Sequence, residues 1–202
     1  LCIQFGTRLI YASSASVYGD GPFNEEVQTK PKNLYAISKS IFDLYGFAFR
    51  KQCKQLVGLR YFNVYGKFEE NKGSMSSVVY KFFKQSESGD DIKLFEGSDR
   101  FFRDFIHIDD VVEANLFFYN NPQFSGIYNV GTGVERSFLD IANIFKQKYK
   151  IGIETIEVPQ ELVGKYQRYT KSDNHKISKI FKYKYKTLEQ GVNKYLSYLE
   201  KQ

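Results

Sequence analysis

The sequence predicts an α/β fold built on a largely parallel sheet. Apolar runs of strand length alternate along the chain with longer segments of helical period. Polar stretches rich in Gly, Pro and Asn separate them. Alternation of this kind is what strands joined by crossover helices produce. With 202 residues, 42% of them hydrophobic and 17% aromatic, the chain can bury one substantial core, or one core and a small second lobe.

Arg8 to Ser14 (RLIYASS) reads as a buried strand running into small residues, and Gly19 to Pro31 as a polar loop. A helix follows from about Asn33 to Lys51, in which Leu34, Ile37, Ile41, Leu44 and Ala48 recur at spacings of three and four and mark its core face. Leu56 to Val64 is a second strand. Ser74 to about Ser86 is helical, with Met75, Val78, Val79 and Phe82 on one side, and Gly89 ends it. Ile92 to Phe95 and Phe101 to Ile108 are strands, and Asp109 is the expected N-cap of a helix reaching about Tyr119. Ile127 to Val130 is a strand ending in Gly131-Thr132-Gly133. That segment lacks the full Gly-x-Gly-x-x-Gly pattern of a phosphate loop and reads as a tight strand-to-helix turn. Ser137 caps a helix from Phe138 to Lys148, Ile153 to Val158 is a strand, and two helices close the chain, the last from about Leu188 to Leu199.

The formal charge of +6 admits nucleic acid, anionic lipid or a phosphorylated small molecule as a partner. The densest basic run, Lys179 to Lys186, carries no nucleic-acid-reading pattern, so its lysines are read as solvated surface and no nucleic-acid role is expected. No apolar run approaches the ~20 residues that span a bilayer, and no membrane partner is expected. Cys2 and Cys53 have no metal-ligand spacing and are too few for a disulfide scaffold. No metal site is expected, and a reducing cytoplasm fits best. The opening LCIQFGTRLIYASS has neither a signal-like pattern nor an initiator Met, and the chain is expected to be incomplete at that end.

Ser14, Tyr35 and Lys39 form the first chemical constellation. Tyr35 and Lys39 are four apart on the predicted helix and share a face near its N-terminus, on the side where open α/β sheets hold ligands. A phenol is a poor base at neutral pH, and a neighbouring ammonium favours its phenolate. Such a group can take a proton from a hydroxyl as hydride leaves the same carbon, and Ser14 could hold that hydroxyl. Tyr-x-x-x-Lys alone is a weak signal, and taken by itself it favours an exposed helical pair. Its setting is stronger: Ala12-Ser13-Ser14-Ala15-Ser16-Val17-Tyr18-Gly19 follows a strand, Asn33-x-Tyr35-x-x-Ser38-Lys39 follows a Pro-containing loop, and Arg60-Tyr61-Phe62-Asn63-Val64-Tyr65-Gly66 ends the next strand. His107 lies on a strand and reads as structural.

In these motifs, and in Arg103 to Val111 and Tyr128-Asn129-Val130-Gly131, the sequence resembles the extended short-chain dehydrogenase/reductases. Those proteins use a Ser, Tyr, Lys group with a nicotinamide cofactor. Asn71-Lys72-Gly73-Ser74-Met75-Ser76-Ser77, Phe95-Glu96-Gly97-Ser98, Arg103-Asp104 and Gly164-Lys165-Tyr166-Gln167 are similar in order and spacing to the ADP-glyceromanno-heptose 6-epimerases over nearly the whole chain. The resemblance implies that Tyr35 is one catalytic base and Lys72 the other, with Ser14 and Lys39 completing the catalytic group. It implies cofactor contacts at Lys39, Val64 and Lys72. It implies substrate contacts at Asn63, Ser74, Lys81, Phe95, Glu96, Gly97, Ser98, Arg103 and Tyr166. The implied cofactor is NADP, with NAD as the alternative. The implied substrate is ADP-heptose, for lipopolysaccharide inner-core synthesis, and the implied assembly is a homo-oligomer, a pentamer. Two bases suit inversion through a ketone, because one fixed base serves only one pose of the oxygen.

The implied fold is an incomplete Rossmann-type parallel sheet with a smaller C-terminal α/β lobe for substrate. Residues 1–66 would be the distal part of the nucleotide-binding domain. Residues 67–202 would be mainly the substrate lobe, with a return to the first domain around 104–131. Departures from the family are plain. The Gly-x-x-Gly-x-x-Gly strand, turn and helix that hold the cofactor's pyrophosphate are not in this sequence. Lys81 stands where the family has His, and Lys67 follows Gly66 where it has Pro. A non-catalytic remnant, and a related nucleotide-sugar 4-epimerase or dehydratase, are the alternative readings.

Overall fold

A computed structural model describes residues 1–160 and 169–202. Among them, the parallel sheet is β1 (Leu9–Ser14), β2 (Leu56–Tyr61) and β6 (Gly126–Val130), in the order β1-β2-β6. The predicted strand Leu56 to Val64 is broken at Phe62, whose N–H turns aside to the Val130 carbonyl at 3.1 Å. Its continuation, β3 (Asn63–Tyr65), therefore joins β5 (Phe102–His107) in parallel, and β5 pairs antiparallel with β7 (Glu135–Ser137). A parallel pair, β4 (Ile92–Phe95) and β8 (Ile153–Ile156), completes the strands. The architecture is α/β, as expected, with the sheet divided into three sections.

Strand alternation assigns the two faces of the main sheet. Val57 and Leu59 of β2 pack with Ile106, Tyr128 and Val130 against Val111, Ala114 and Phe118 of helix α4 (Ile108–Asn120). The opposite face presents Tyr11, Ser13, Gly58 and Arg60 to helix α2 (Leu34–Phe49), which follows the short N-terminal helix α1 (Cys2–Phe5). A second core gathers α3 (Val78–Glu87), α5 (Phe138–Tyr149) and α7 (Leu188–Leu199) around β4 and β5, through Phe82, Ile92, Phe105, Phe145 and Tyr195. Between α5 and α7 the one-turn helix α6 (His175–Ser178) seats Ile177 in the first core.

Helix α2 corrects the expected core face. Leu34, Ile37, Ile41, Leu44 and Ala48 are exposed, and the buried positions are Ala36, Ser40, Asp43 and Gly46. The reason is electrostatic and steric. Asp43, 3% exposed, accepts from Arg60 Nε at 2.8 Å, Ser13 Oγ at 3.0 Å and Tyr11 Oη at 3.0 Å. The Tyr11 ring fills the layer between helix and sheet so closely that a Cβ on Gly58 would meet its hydroxyl at 2.4 Å. A buried charge must be paired, and this pairing rotates the helix so that its small residues face inward.

Smaller corrections have equally local causes. Asp109 is not the N-cap of α4: His107 is, its Nδ1 accepting from Asp109 N–H at 3.1 Å. His107 is 1% exposed and neutral in character, since burial pushes its pKa down. Met75 is 83% exposed and is outside α3, which begins only at Val78 after the Ser77 cap. Gly131-Thr132-Gly133 turns into the short strand β7 before α5, not straight into the helix. The expected capping of α5 by Ser137 is present, as a reciprocal box with Asp140.

Replacing Asp43 by Ala leaves Arg60 buried without its carboxylate. The expected cost is about 3–5 kcal/mol, read as a lower urea midpoint at unchanged slope.

Candidate active site

Ligands of open α/β sheets bind beyond the carboxyl ends of the strands, and the sequence-expected residues gather there. Ser14 is the last residue of β1, in register with Tyr61 at the end of β2. Asn63 and Val64 open β3 just beyond. Asn33 caps α2 by accepting from Ala36 N–H at 2.8 Å, which sets Tyr35 in the first turn. Lys39 lies one turn later. Its Nζ donates to the Ala12 carbonyl at 2.9 Å and stands 5.7 Å from the centre of the Tyr35 ring. Tyr35 is 56% exposed, so its hydroxyl is open to a reactant. Ser14 Oγ accepts from Ser16 N–H at 3.2 Å and Ser16 Oγ at 2.9 Å. Both bonds use acceptor capacity and leave the Ser14 hydroxyl able to donate.

A cavity of about 540 Å³ lies between β3, β4, β5, α3 and the loop that joins β3 to α3. Sequence-expected residues Asn63, Val64, Lys72, Lys81, Phe95, Ser98 and Arg103 line it. Its charge is one-sided: Lys72, Lys81, Lys93 and Arg103 face one carboxylate, Glu69, among the described residues. Met75, Val78, Phe82, Phe138 and Ile156 supply apolar wall. Lysines on a wall with a buried guanidinium suit a polyphosphate, and the apolar side suits a flat base or sugar ring. Arg103 is 5% exposed, with Nη1 on the Phe102 carbonyl at 2.9 Å and its guanidinium 5.7 Å over the Phe138 ring.

Not every expected residue is in that lining. Ser14, Tyr35 and Lys39 are outside it: Ser14 ends β1, and the Lys39 ammonium meets the Ala12 carbonyl and the Tyr35 ring. Ser74 is outside it and acts through its carbonyl, which holds Lys81 Nζ at 2.8 Å. Glu96 and Gly97 also fall outside, because they serve the strand and turn: Glu96 N–H donates to the Ile156 carbonyl at 2.9 Å, and Gly97 takes a left-handed φ of 77°. Tyr166 lies outside the described residues.

Residues 1–131 match the NAD dependent epimerase/dehydratase family. The chain belongs to that family. An ADP-L-glycero-D-manno-heptose-6-epimerase from Brachyspira hyodysenteriae is 48% identical over 209 aligned positions, covering 100% of this chain and 66% of the relative. The crystal structure of the Helicobacter pylori ADP-L-glycero-D-manno-heptose-6-epimerase superposes with a TM-score of 0.87 at 31% identity, over 98% of this chain and 61% of that one. A Thermotoga maritima UDP-glucose 4-epimerase structure with UDP-glucose gives 0.83 at 25% identity, over 98% of this chain and 65% of that one. The chain thus spans about two thirds of the length of the relatives it matches.

Within this family member, three polar lining residues escaped the motif reading: Glu69, Gln85 and Lys93. Lys93 had a signal, since it is two residues from Phe95 on β4 and so shares its face. Glu69 is 2% exposed. Its carboxylate accepts from Ser77 Oγ at 2.6 Å, Ser77 N–H at 3.0 Å, Lys72 Nζ at 3.4 Å and Gly66 N–H at 3.5 Å. Burial, and then the charge of Glu69, push the pKa of the enclosed Tyr195 hydroxyl up.

The residue after Arg103 fixes the strand that carries it. Asp104, 0% exposed, accepts from Thr132 N–H and Thr132 Oγ1 at 2.7 Å, Gly133 N–H at 2.8 Å and Ser172 N–H at 3.0 Å. Burial pushes its pKa up, and the four donors pull against that shift. Gly131 makes room for it: a Cβ there would meet Asp104 Oδ2 at 2.8 Å. Asp104→Asn exchanges one acceptor oxygen for a donor and leaves at least one buried N–H unpaired. The expected loss is about 1–3 kcal/mol, with faster amide hydrogen exchange at Thr132 and Gly133.

Proposed function

We propose that this chain carries the proton-transfer groups and the nucleotide-sugar site of an ADP-D-glycero-β-D-manno-heptose 6-epimerase, which yields the L-glycero epimer. The carrying observation is the cavity, in which an ammonium from the Asn-Lys-Gly-Ser-Met loop and three further cations face an apolar wall. The 48% identity to a curated heptose 6-epimerase supports the same reading. In this reading Arg103, Lys81 and Lys93 bind the diphosphate, while Phe95 and Ser98 hold the nucleotide end. Ser74, Glu96, Gly97 and Tyr166 complete the substrate contacts in this reading.

Tyr35, with Lys39 beside it, takes the proton from the C6 hydroxyl as Ser14 holds the oxygen by a donated hydrogen bond. Lys72 donates one of its own ammonium protons to the C6 oxygen when the ketone presents its other face, and proton exchange with solvent then resets Tyr35 and Lys72, so that one carbon inverts without net redox change. The Lys39 ammonium, anchored on the Ala12 carbonyl of β1, fits the hydroxyls of a ribose, and Val64 offers an apolar edge at the cavity. A nicotinamide cofactor bound there, NADP in preference to NAD, would accept the hydride from C6 and return it. Residues 1–66, with a return at 104–131, form the cofactor side, and the rest forms mainly the substrate lobe. The product would serve lipopolysaccharide inner-core synthesis in the cytoplasm. The exposed apolar side of α2 supports an assembled working form, a homo-oligomer.

The test is incubation of the natively expressed protein with the D-glycero substrate and NADP or NAD, with C6 configuration followed by NMR. Inversion at C6 is expected. Inversion at C4, loss of water, or no turnover would favour a 4-epimerase, a dehydratase or a non-catalytic remnant in that order. Tyr35→Phe and Lys72→Met are each expected to lower kcat by on the order of 100-fold or more. Arg103→Ala is expected to weaken ADP binding, by calorimetry, on the order of tenfold.

A further inference from the structure

We propose that Glu69 is the positioning residue for Lys72, holding its ammonium at the cavity through one buried carboxylate that also closes the loop between β3 and α3. This rests on the reading of Lys72 as a proton-transfer group.

The loop needs such a device. Lys72 has a flexible four-carbon stem, and its side chain is 52% exposed, so packing alone does not fix its head group. It lies in a stretch of tight turns in which Phe68, a non-glycine residue, takes a φ of 69° and Gly73 a φ of 52°. Glu69 touches both ends of that stretch, Gly66 at the exit of β3 and Ser77 at the cap of α3, and the ammonium between them.

The carboxylate exceeds what the helix start requires. Ser77 already caps α3 by accepting from Tyr80 N–H at 3.3 Å, and serine is sufficient for that task. Enclosing a carboxylate at 2% exposure is costly unless its charge is matched. The salt bridge that matches it here is the one to Lys72. A neutral acceptor would serve Ser77 equally well and would hold an ammonium far less firmly. The charge at position 69 is thus explained by the lysine three residues on.

The decisive comparison is Glu69→Gln, which keeps shape but not charge, against Ser77→Ala, which removes the cap but keeps the carboxylate. Lysines would be carbon-13 dimethylated for NMR, with the Lys72 signal assigned by its absence in Lys72→Met. In Glu69→Gln the Lys72 signal is expected to move to the position of freely solvated lysines. Its kcat should fall on the order of tenfold or more while KM changes less than about threefold. Ser77→Ala should keep both the signal and most of kcat. Should Glu69→Gln fail to fold, Glu69→Asp, which keeps the charge, takes its place, and a Lys72 signal still distinct from solvated lysine is expected. An unmoved signal in Glu69→Gln, a freely solvated one in Glu69→Asp, or an equal loss in Ser77→Ala would overturn the proposal. Wild-type kcat in Glu69→Gln, with Lys72→Met inactive, would sink the role of Glu69 alone. An active Lys72→Met would instead sink the proton-transfer role of Lys72.

Discussion

The carboxylate of Asp104 is the constraint on which the cavity depends. Four donors from two distant segments converge on it, so the turn after β6 and the chain around Ser172 are both fixed to β5. Neighbouring side chains on a strand point to opposite faces. Locking Asp104 inward on one side therefore commits Arg103 to the cavity on the other. The Arg-Asp pair is one device: the acid holds the strand, and the guanidinium lines the cavity. Gly131 belongs to it, because only a residue without a side chain lets the turn come close enough to be held.

Much of the fold was legible in the sequence because its signals are local. Strand-length apolar runs and the Ser137 cap require only a few consecutive residues to agree, and each is present. The face of α2 was not legible, for a reason beyond the helix. Periodicity weighs Leu34, Ile37, Ile41 and Leu44 by hydrophobicity, but the partners that decide the rotation, Ser13 and Arg60, sit on two strands elsewhere in the chain. A buried ion pair overrode an apolar stripe. The cap of α4 misled in a milder way. Asp is a good capping type, but His107, two residues earlier, already supplied the acceptor.

The candidate site divides along the same line. Motif reading found Asn63, Lys72, Lys81, Phe95, Ser98 and Arg103, which the chain brings around one cavity. Glu96 and Gly97 lie outside the lining, with their backbone engaged in strand pairing and turning. Motif reading passed over Glu69, since an acid in a polar loop looks like solvated surface until its burial is known. Pattern finds groups that a local motif carries, and misses those whose burial is decided by distant packing.

The outward side of α2 has a colloidal consequence. Leu34, Ile41, Leu44, Tyr45 and Phe47 are each half exposed or more, and β1 beside them pairs on one side only among the described residues. A greasy flank next to a strand edge with no strand neighbour among the described residues favours self-association as concentration rises. A polypeptide of this span, handled alone, would scatter light and cling to apolar resins well before its native cores began to melt.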